Sequence, residues 1–82
     1  MEEKMRDIIN EWNPIEIYPL LIDEYNYEIK RIIDGSSNCT SKESLSNLIY
    51  NVFFDSFGSE FKKSKESCEK IAEVICDFLQ LQ

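Results

Sequence analysis

An all-α fold, a four-helix bundle with a short helical turn between helices 1 and 2, follows from three features of this 82-residue chain. Several stretches repeat apolar residues at the period of a helix face. Only two Gly and two Pro interrupt the chain. One stretch, Leu45–Phe57, contains neither and is apolar on two faces. Within it Leu45, Leu48, Ile49, Val52 and Phe53 fall at i, i+3, i+4, i+7 and i+8. Tyr50, Phe54 and Phe57 follow at i, i+4 and i+7 on a second face roughly 100° round. A helix with two apolar faces is normally covered on two sides, so this one is expected at the centre of the bundle. The length suits one domain over residues 1–82, and an apolar content of 43%, with 12% aromatic, suffices for a core.

Helix 1 is predicted from Glu2 to Trp12. Met1, Met5, Ile8, Ile9 and Trp12 form its apolar stripe, and Glu2 and Glu3 favour the positive end of its dipole. Pro14 disfavours helical geometry at Asn13 and stops it. Asn13-Pro14 also reads as a start, with Asn capping and Pro at the first helical position. A single turn over Pro14–Tyr18 is therefore expected, delivering Ile15, Ile17, Tyr18, Leu20 and Leu21 to the core.

Helix 2 is predicted to begin near Asp23, which caps it, with Glu24 and Glu28 in its opening turns. Tyr25, Ile29, Ile32 and Ile33 form its buried stripe, with Tyr25 expected on Trp12. Gly35 is expected as its left-handed terminator, and Ser36–Cys39 as a polar loop. Thr40-Ser41-Lys42-Glu43 has the form of a capping box opening helix 3. Gly58 ends that helix, and Phe61 turns inward from the loop that follows. Helix 4 runs from Ser64 to about Leu81, with Cys68, Ile71, Ala72, Ile75, Phe78 and Leu79 as its stripe.

Trp12-Asn13-Pro14-Ile15, followed by Asp23-Glu24-Tyr25, Glu28-Ile29 and the pair Phe57-Gly58, resembles the YugE-like family of small proteins from Bacillus and related bacteria. The resemblance spans most of the chain. It implies a compact helical domain of bacterial, cytosolic origin and implies no activity.

Charge and residue inventory exclude several chemistries. The net charge of −7 argues against nucleic acid, because phosphate binding needs clustered Lys and Arg. Lys62, Lys63 and Lys65 are too few to change that and read as a solvated turn. Residues 1–35 hold nine acids against four bases, a net of −5, and residues 36–82 seven against five, a net of −2. The acidic half either faces a basic partner or simply keeps the chain soluble. Met1–Asn10 has no apolar leader core, and no apolar run approaches the ~20 residues of a membrane span, so a cytoplasmic protein without membrane contact is expected. Three cysteines suit a reducing compartment better than a disulfide framework.

The absence of His removes Ser-His and Cys-His nucleophile systems and His-based zinc sites. There is no Cys-x-x-Cys pair and no glycine-rich phosphate loop. No cofactor, metal site or catalytic residue is assigned, and no enzyme is expected. Glu24 and Glu28, spaced i, i+4, could share a hard cation with Asp23, but a lone carboxylate pair lacks the ligand count, so capping and dipole compensation are favoured. Trp12, beside a Pro on an apolar stripe, reads as a core anchor before a ligand-stacking surface. Cys39 is the loop thiol, whereas Cys68 and Cys76 read as small core residues.

The candidate partner surface is Tyr50, Phe54 and Phe57 with Asp23, Glu24 and Glu28. If helix 3 is central, the aromatic stripe is core; if its second face is uncovered, the stripe is an interface. The function expected is a protein-binding module, of the inhibitor or immunity type, with an unknown protein as partner. The alternative is a homo-oligomeric structural or regulatory protein built on the stripe.

Overall fold

The computed structural model describes residues 2–18 and 24–79. Asp23, expected to cap helix 2, and Leu20 and Leu21, expected in the core, lie outside the described residues, as do Met1 and Leu81. Among the described residues four helices make the fold: α1 Glu2–Trp12, α2 Asn26–Ser36, α3 Lys42–Phe57 and α4 Lys65–Leu79, with one 3₁₀ turn, Gly58–Glu60, between α3 and α4. No strand occurs among the described residues. Consecutive helices pack side by side and α4 returns to α1, so the bundle is a closed circuit in chain order. The helix expected at the centre, α3, instead takes one corner, flanked by α2 and α4 and diagonal to α1. Four amphipathic helices can each turn one face to a shared core, so none has to be surrounded.

That core is built from the expected stripes. Met5 and Ile9 of α1, Ile29 and Ile32 of α2, Leu45, Ile49 and Phe53 of α3, and Cys68, Ala72 and Ile75 of α4 are fully buried. Phe53 gathers four other rings around itself. Trp12 and Tyr25 meet it edge-on, each with its centroid 5.8 Å away. Phe57 and Phe61 stack on it at 6.1 Å and 5.7 Å. Trp12 and Tyr25 therefore meet through Phe53, where the sequence suggested that they pack on each other.

The helix ends show where local rules held and where packing overrode them. Gly58, at φ 55°, ends α3 with its N–H on the Phe54 carbonyl, a backbone angle that glycine adopts without strain. Gly35 does not end α2 as expected; it lies inside the helix, which continues to Ser36. Its missing side chain serves close packing instead: a Cβ there would come within 2.8 Å of both Leu48 methyl carbons on α3. The capping box is shifted by one residue from Thr40/Glu43. Ser41 caps α3, its Oγ accepting from Ser44 N at 3.2 Å while Ser44 Oγ accepts from Ser41 N at 3.2 Å. A serine hydroxyl closes the reciprocal pair as a glutamate would, and Glu43 remains in the first turn where the dipole favours it. Ser64 caps α4, accepting from Ser67 N at 3.1 Å.

Deleting Phe53 should remove the common partner of four rings. Phe53→Ala is expected to cost about 3–5 kcal/mol, a large share of the 5–15 kcal/mol typical of a domain. Phe53→Leu, which keeps most of the volume, should cost under about half as much. Urea unfolding followed by far-UV circular dichroism measures both, and equal losses would show that Phe53 is not the hub.

Candidate functional site

Between α1 and α2 the chain is held by one buried asparagine. Asn13 follows α1 in the left-handed region, at φ 47°, with its N–H still on the Ile9 carbonyl at 2.8 Å. Asparagine tolerates that conformation better than other branched or long residues. The short turn expected here is one hydrogen-bonded turn, Glu16 N donating to the Asn13 carbonyl at 2.9 Å, and is shorter than Pro14–Tyr18. Asn13 does not cap a following helix. Its Oδ1 accepts from Ile17 N at 3.1 Å and its Nδ2 donates to the Ile17 carbonyl at 2.9 Å. The fully buried Tyr25 donates its hydroxyl to the same Oδ1 at 2.5 Å and accepts from Ile15 N at 3.3 Å. Burial holds the Tyr25 pKa above its usual value of 10.0, with the Glu24 and Glu28 charges adding to the effect. This network ties the loop to the start of α2 and leaves no reactive group exposed. The sequence reading missed it, although an Asn directly after a helix is a known signal for a left-handed C-terminal residue.

The carboxylates expected to share a helix face do not share one. α2 begins at Asn26, so Glu24 stands exposed in the preceding turn while Glu28 is buried in the first helical turn. A helical i, i+4 pairing needs both residues inside the helix. Asp23 lies outside the described residues. Among the described residues no three His, Cys, Asp or Glu are grouped to hold a metal ion.

The aromatic stripe of α3 divides. Phe57 packs edge-on to Tyr25 at 6.1 Å and is half-buried. Tyr50, also half-buried, meets Phe61 at 5.7 Å, and the Lys65 ammonium lies 5.4 Å over its ring. Phe54 is 52% exposed and stacks on Tyr50 at 5.9 Å. Tyr50 and Phe57 are thus packed against the core without being enclosed in it, and Phe54 is exposed, because the corner position of α3 leaves that flank uncovered. Trp12 is half-buried against the core, on Phe53 and Phe61, and its Nε1 donates to Ser67 Oγ at 2.9 Å.

Three shallow clefts mark the surface, two of them against α4 and one between the Asn13 loop and the segment that precedes α4. One of about 330 Å³ is lined by Ile15, Glu16, Glu60 and Lys62. Another, of about 310 Å³, lies between α3 and α4 and includes Lys42, Glu43, Lys65 and Glu69. Both mix charges of opposite sign and show no single polarity. A third is lined by Ile8, Glu11, Trp12, Ile71 and Val74.

Burial pushes the Cys68 thiol from 9.0 up to about 11 and raises Cys76 as well, so both are held as neutral thiols. A raised folded-state pKa contributes stability that is complete below the unfolded value and is lost as pH rises through the folded value. Stability should therefore be level near neutral pH, then fall from about pH 9 to 11 as unfolded Cys68 ionises and folded Cys68 resists. The contribution of Cys68 is at most about 2–3 kcal/mol. Cys68→Ala should flatten, without abolishing, the alkaline slope of urea midpoints, since Cys76 and Tyr25 remain. Identical slopes in the two proteins would show that the thiol is not the cause.

Comparison with curated proteins and with solved structures gave no match. A family profile described as a domain of unknown function, DUF1871, matches residues 4–79. That span takes in α1 from Lys4 onward, the whole of the other three helices, the Asn13 loop and the Phe53 cluster, and the chain belongs to the DUF1871 family.

Proposed function

We propose that this protein is a non-catalytic, cytoplasmic protein-binding module that uses its acidic half against a basic partner, in the manner of a small inhibitor or immunity protein. The observation that carries this reading is where the charges of that half go. Glu3, Asp7, Glu11, Glu16 and Glu24 are exposed. Two of its four bases are engaged within the chain: Arg6 Nε donates to Asn26 Oδ1 at 3.1 Å, and Arg31 pairs with Asp55 at 3.0 Å. A third, Lys4, lies 5.6 Å over the Phe78 ring. The exposed field is negative, which steers and orients a basic partner. Burial holds Tyr25, Cys68 and Cys76 toward their neutral forms, opposite to the activation of a nucleophile. The YugE-like resemblance belongs to this reading as a bacterial, cytosolic setting. No helix among the described residues is long and apolar enough to cross a membrane.

Capture of the tagged protein's partners from its native cytosol, at low and at moderate salt, tests the reading by mass spectrometry. A stoichiometric basic protein lost at moderate salt is expected. Recovery of the chain alone at both salts would reject it.

Phe54 supports a second reading, a homo-oligomer, because a stacked aromatic pair at a surface is a common interface anchor. On that reading Phe54→Glu should reduce the mass measured by sedimentation equilibrium to that of a monomer while the helical signal is kept. A wild-type protein that is already monomeric at high concentration would exclude it.

A further inference from the structure

We propose that Cys39 and Cys76 form a redox pair, which a hydroperoxide oxidises to a disulfide joining the α2–α3 loop to α4. This chemistry is independent of the binding role. Three contacts fix how α3 and α4 lie against each other. Lys42 Nζ is 3.8 Å from Glu73 Oε2. Ser46 and Glu69 line one cleft between the two helices. Lys65 Nζ is 5.4 Å over the Tyr50 ring. Each step of four residues forward on α3 is matched by four residues back on α4, so the helices run antiparallel in a constant register. Carried three residues beyond Lys42 and Glu73, that register sets Cys39 of the loop opposite Cys76 of α4.

Packing agrees with the register. Cys39 is half-buried and lies against the core, its thiol donating to the Gly35 carbonyl at 3.6 Å. Cys76 belongs to that core and is 6% exposed. Burial is the main cause that raises the Cys76 pKa; the Asp77, Cys39 and Glu73 charges add to it and Lys42 opposes it. Cys39 is thus near enough for its charge to act on Cys76. Cys68 is fully buried eight residues before Cys76 on α4, about 12 Å along the axis. A disulfide tolerates a Cα separation of only about 7 Å, so Cys68 cannot bond Cys76, and the register sets Asn47 opposite it.

Exposure assigns the roles, because the thiol that water reaches meets the oxidant first. Cys39 loses its proton to solvent and attacks as the thiolate. An S–O bond forms to the hydroperoxide, the O–O bond breaks, and the departing alkoxide takes up a proton to leave as alcohol, or as water from hydrogen peroxide. Cys39 is left as the sulfenic acid, oxidised by two electrons. The Cys76 sulfur then attacks the Cys39 sulfur. The S–S bond forms, the S–O bond breaks, and hydroxide leaves with the Cys76 proton as water. Two thiols and one hydroperoxide give one disulfide, one alcohol and one water. A reversible bond of this kind is what a reducing compartment allows.

The test treats reduced protein with one equivalent of hydrogen peroxide under native conditions, followed by alkylation in denaturant and mass spectrometry. Two of the three free thiols should be lost. Trypsin separates the cysteines into the peptides Ile32–Lys42, Glu66–Lys70 and Ile71–Gln82, so the pairing is read directly. A link between the first and the last is expected within the monomer, reversed by a dithiol reductant. Cys68→Ala should form the link as wild type does, whereas Cys39→Ser and Cys76→Ser should form none within the monomer. The linked protein should keep its helical signal and unfold at higher urea, because the bond closes the loop from Cys39 to Cys76.

Survival of all three thiols, a link through Cys68, a link only between copies, or the same mixture of pairings as in denaturant would overturn the pair. A linked protein that loses its helical signal or unfolds at lower urea would overturn it as well, since the bond would then require a distorted fold.

Discussion

Phe53 is the contact that the rest of the bundle depends on. An 82-residue chain has little apolar area to spend on a core, and rings bury the most area per residue. One fully buried ring on α3 here joins Trp12 at the end of α1, Tyr25 at the start of α2, Phe57 on its own helix and Phe61 beyond the 3₁₀ turn. Those four partners span 49 positions of sequence, from Trp12 to Phe61. Edge-on contacts from Trp12 and Tyr25 and stacked contacts from the two phenylalanines use the quadrupole of the central ring in both orientations. The diagonal pair α1 and α3 is joined by the same ring, since Trp12 reaches it from across the bundle.

Asn13 and Tyr25 supply the polar counterpart of that hub. A chain leaving α1 must bend sharply, and the bend buries backbone groups that need partners. Asn13 provides an acceptor and a donor for Ile17, and the Tyr25 hydroxyl serves both Asn13 and Ile15. Tyr25 thus faces Phe53 with its ring and the loop with its oxygen. The aromatic hub and the loop are therefore positioned by one side chain, which is why the interior of this small protein contains a tyrosine where a phenylalanine would satisfy packing alone.

The existence of the four helices was legible from periodicity, and so were most of the buried positions, because a stripe at the helical period records which face avoids water. Boundaries set by strong local chemistry were legible too, as at Pro14 and Gly58. What was not legible depended on residues distant in sequence. Gly35 looked like a terminator by local rules, yet its role is set by Leu48 on another helix. Thr40 and Ser41 both fit the local cap pattern, and only the helix register decides between them. Glu24 and Glu28 looked paired because the start of α2 was placed three residues early. The aromatic stripe could not be sorted from sequence, since whether Phe54 is covered depends on whether α3 is central or a corner.

The same limit applies with more force to the surface. The cleft between α1 and α4 is made by Ile8 and Trp12 from one end of the chain and by Ile71 and Val74 from the other. On α1 those residues belong to the stripe that buries Met5 and Ile9, and on α4 Ile71 belongs to the stripe that buries Cys68 and Ile75. A broad apolar stripe covers more than the shared core requires, and its edge emerges between two neighbouring helices. Periodicity cannot distinguish that edge from the core, because both obey the same spacing. Exposure supplies the distinction: Glu3, Asp7 and Glu11 mark the side on which α1 turns to water.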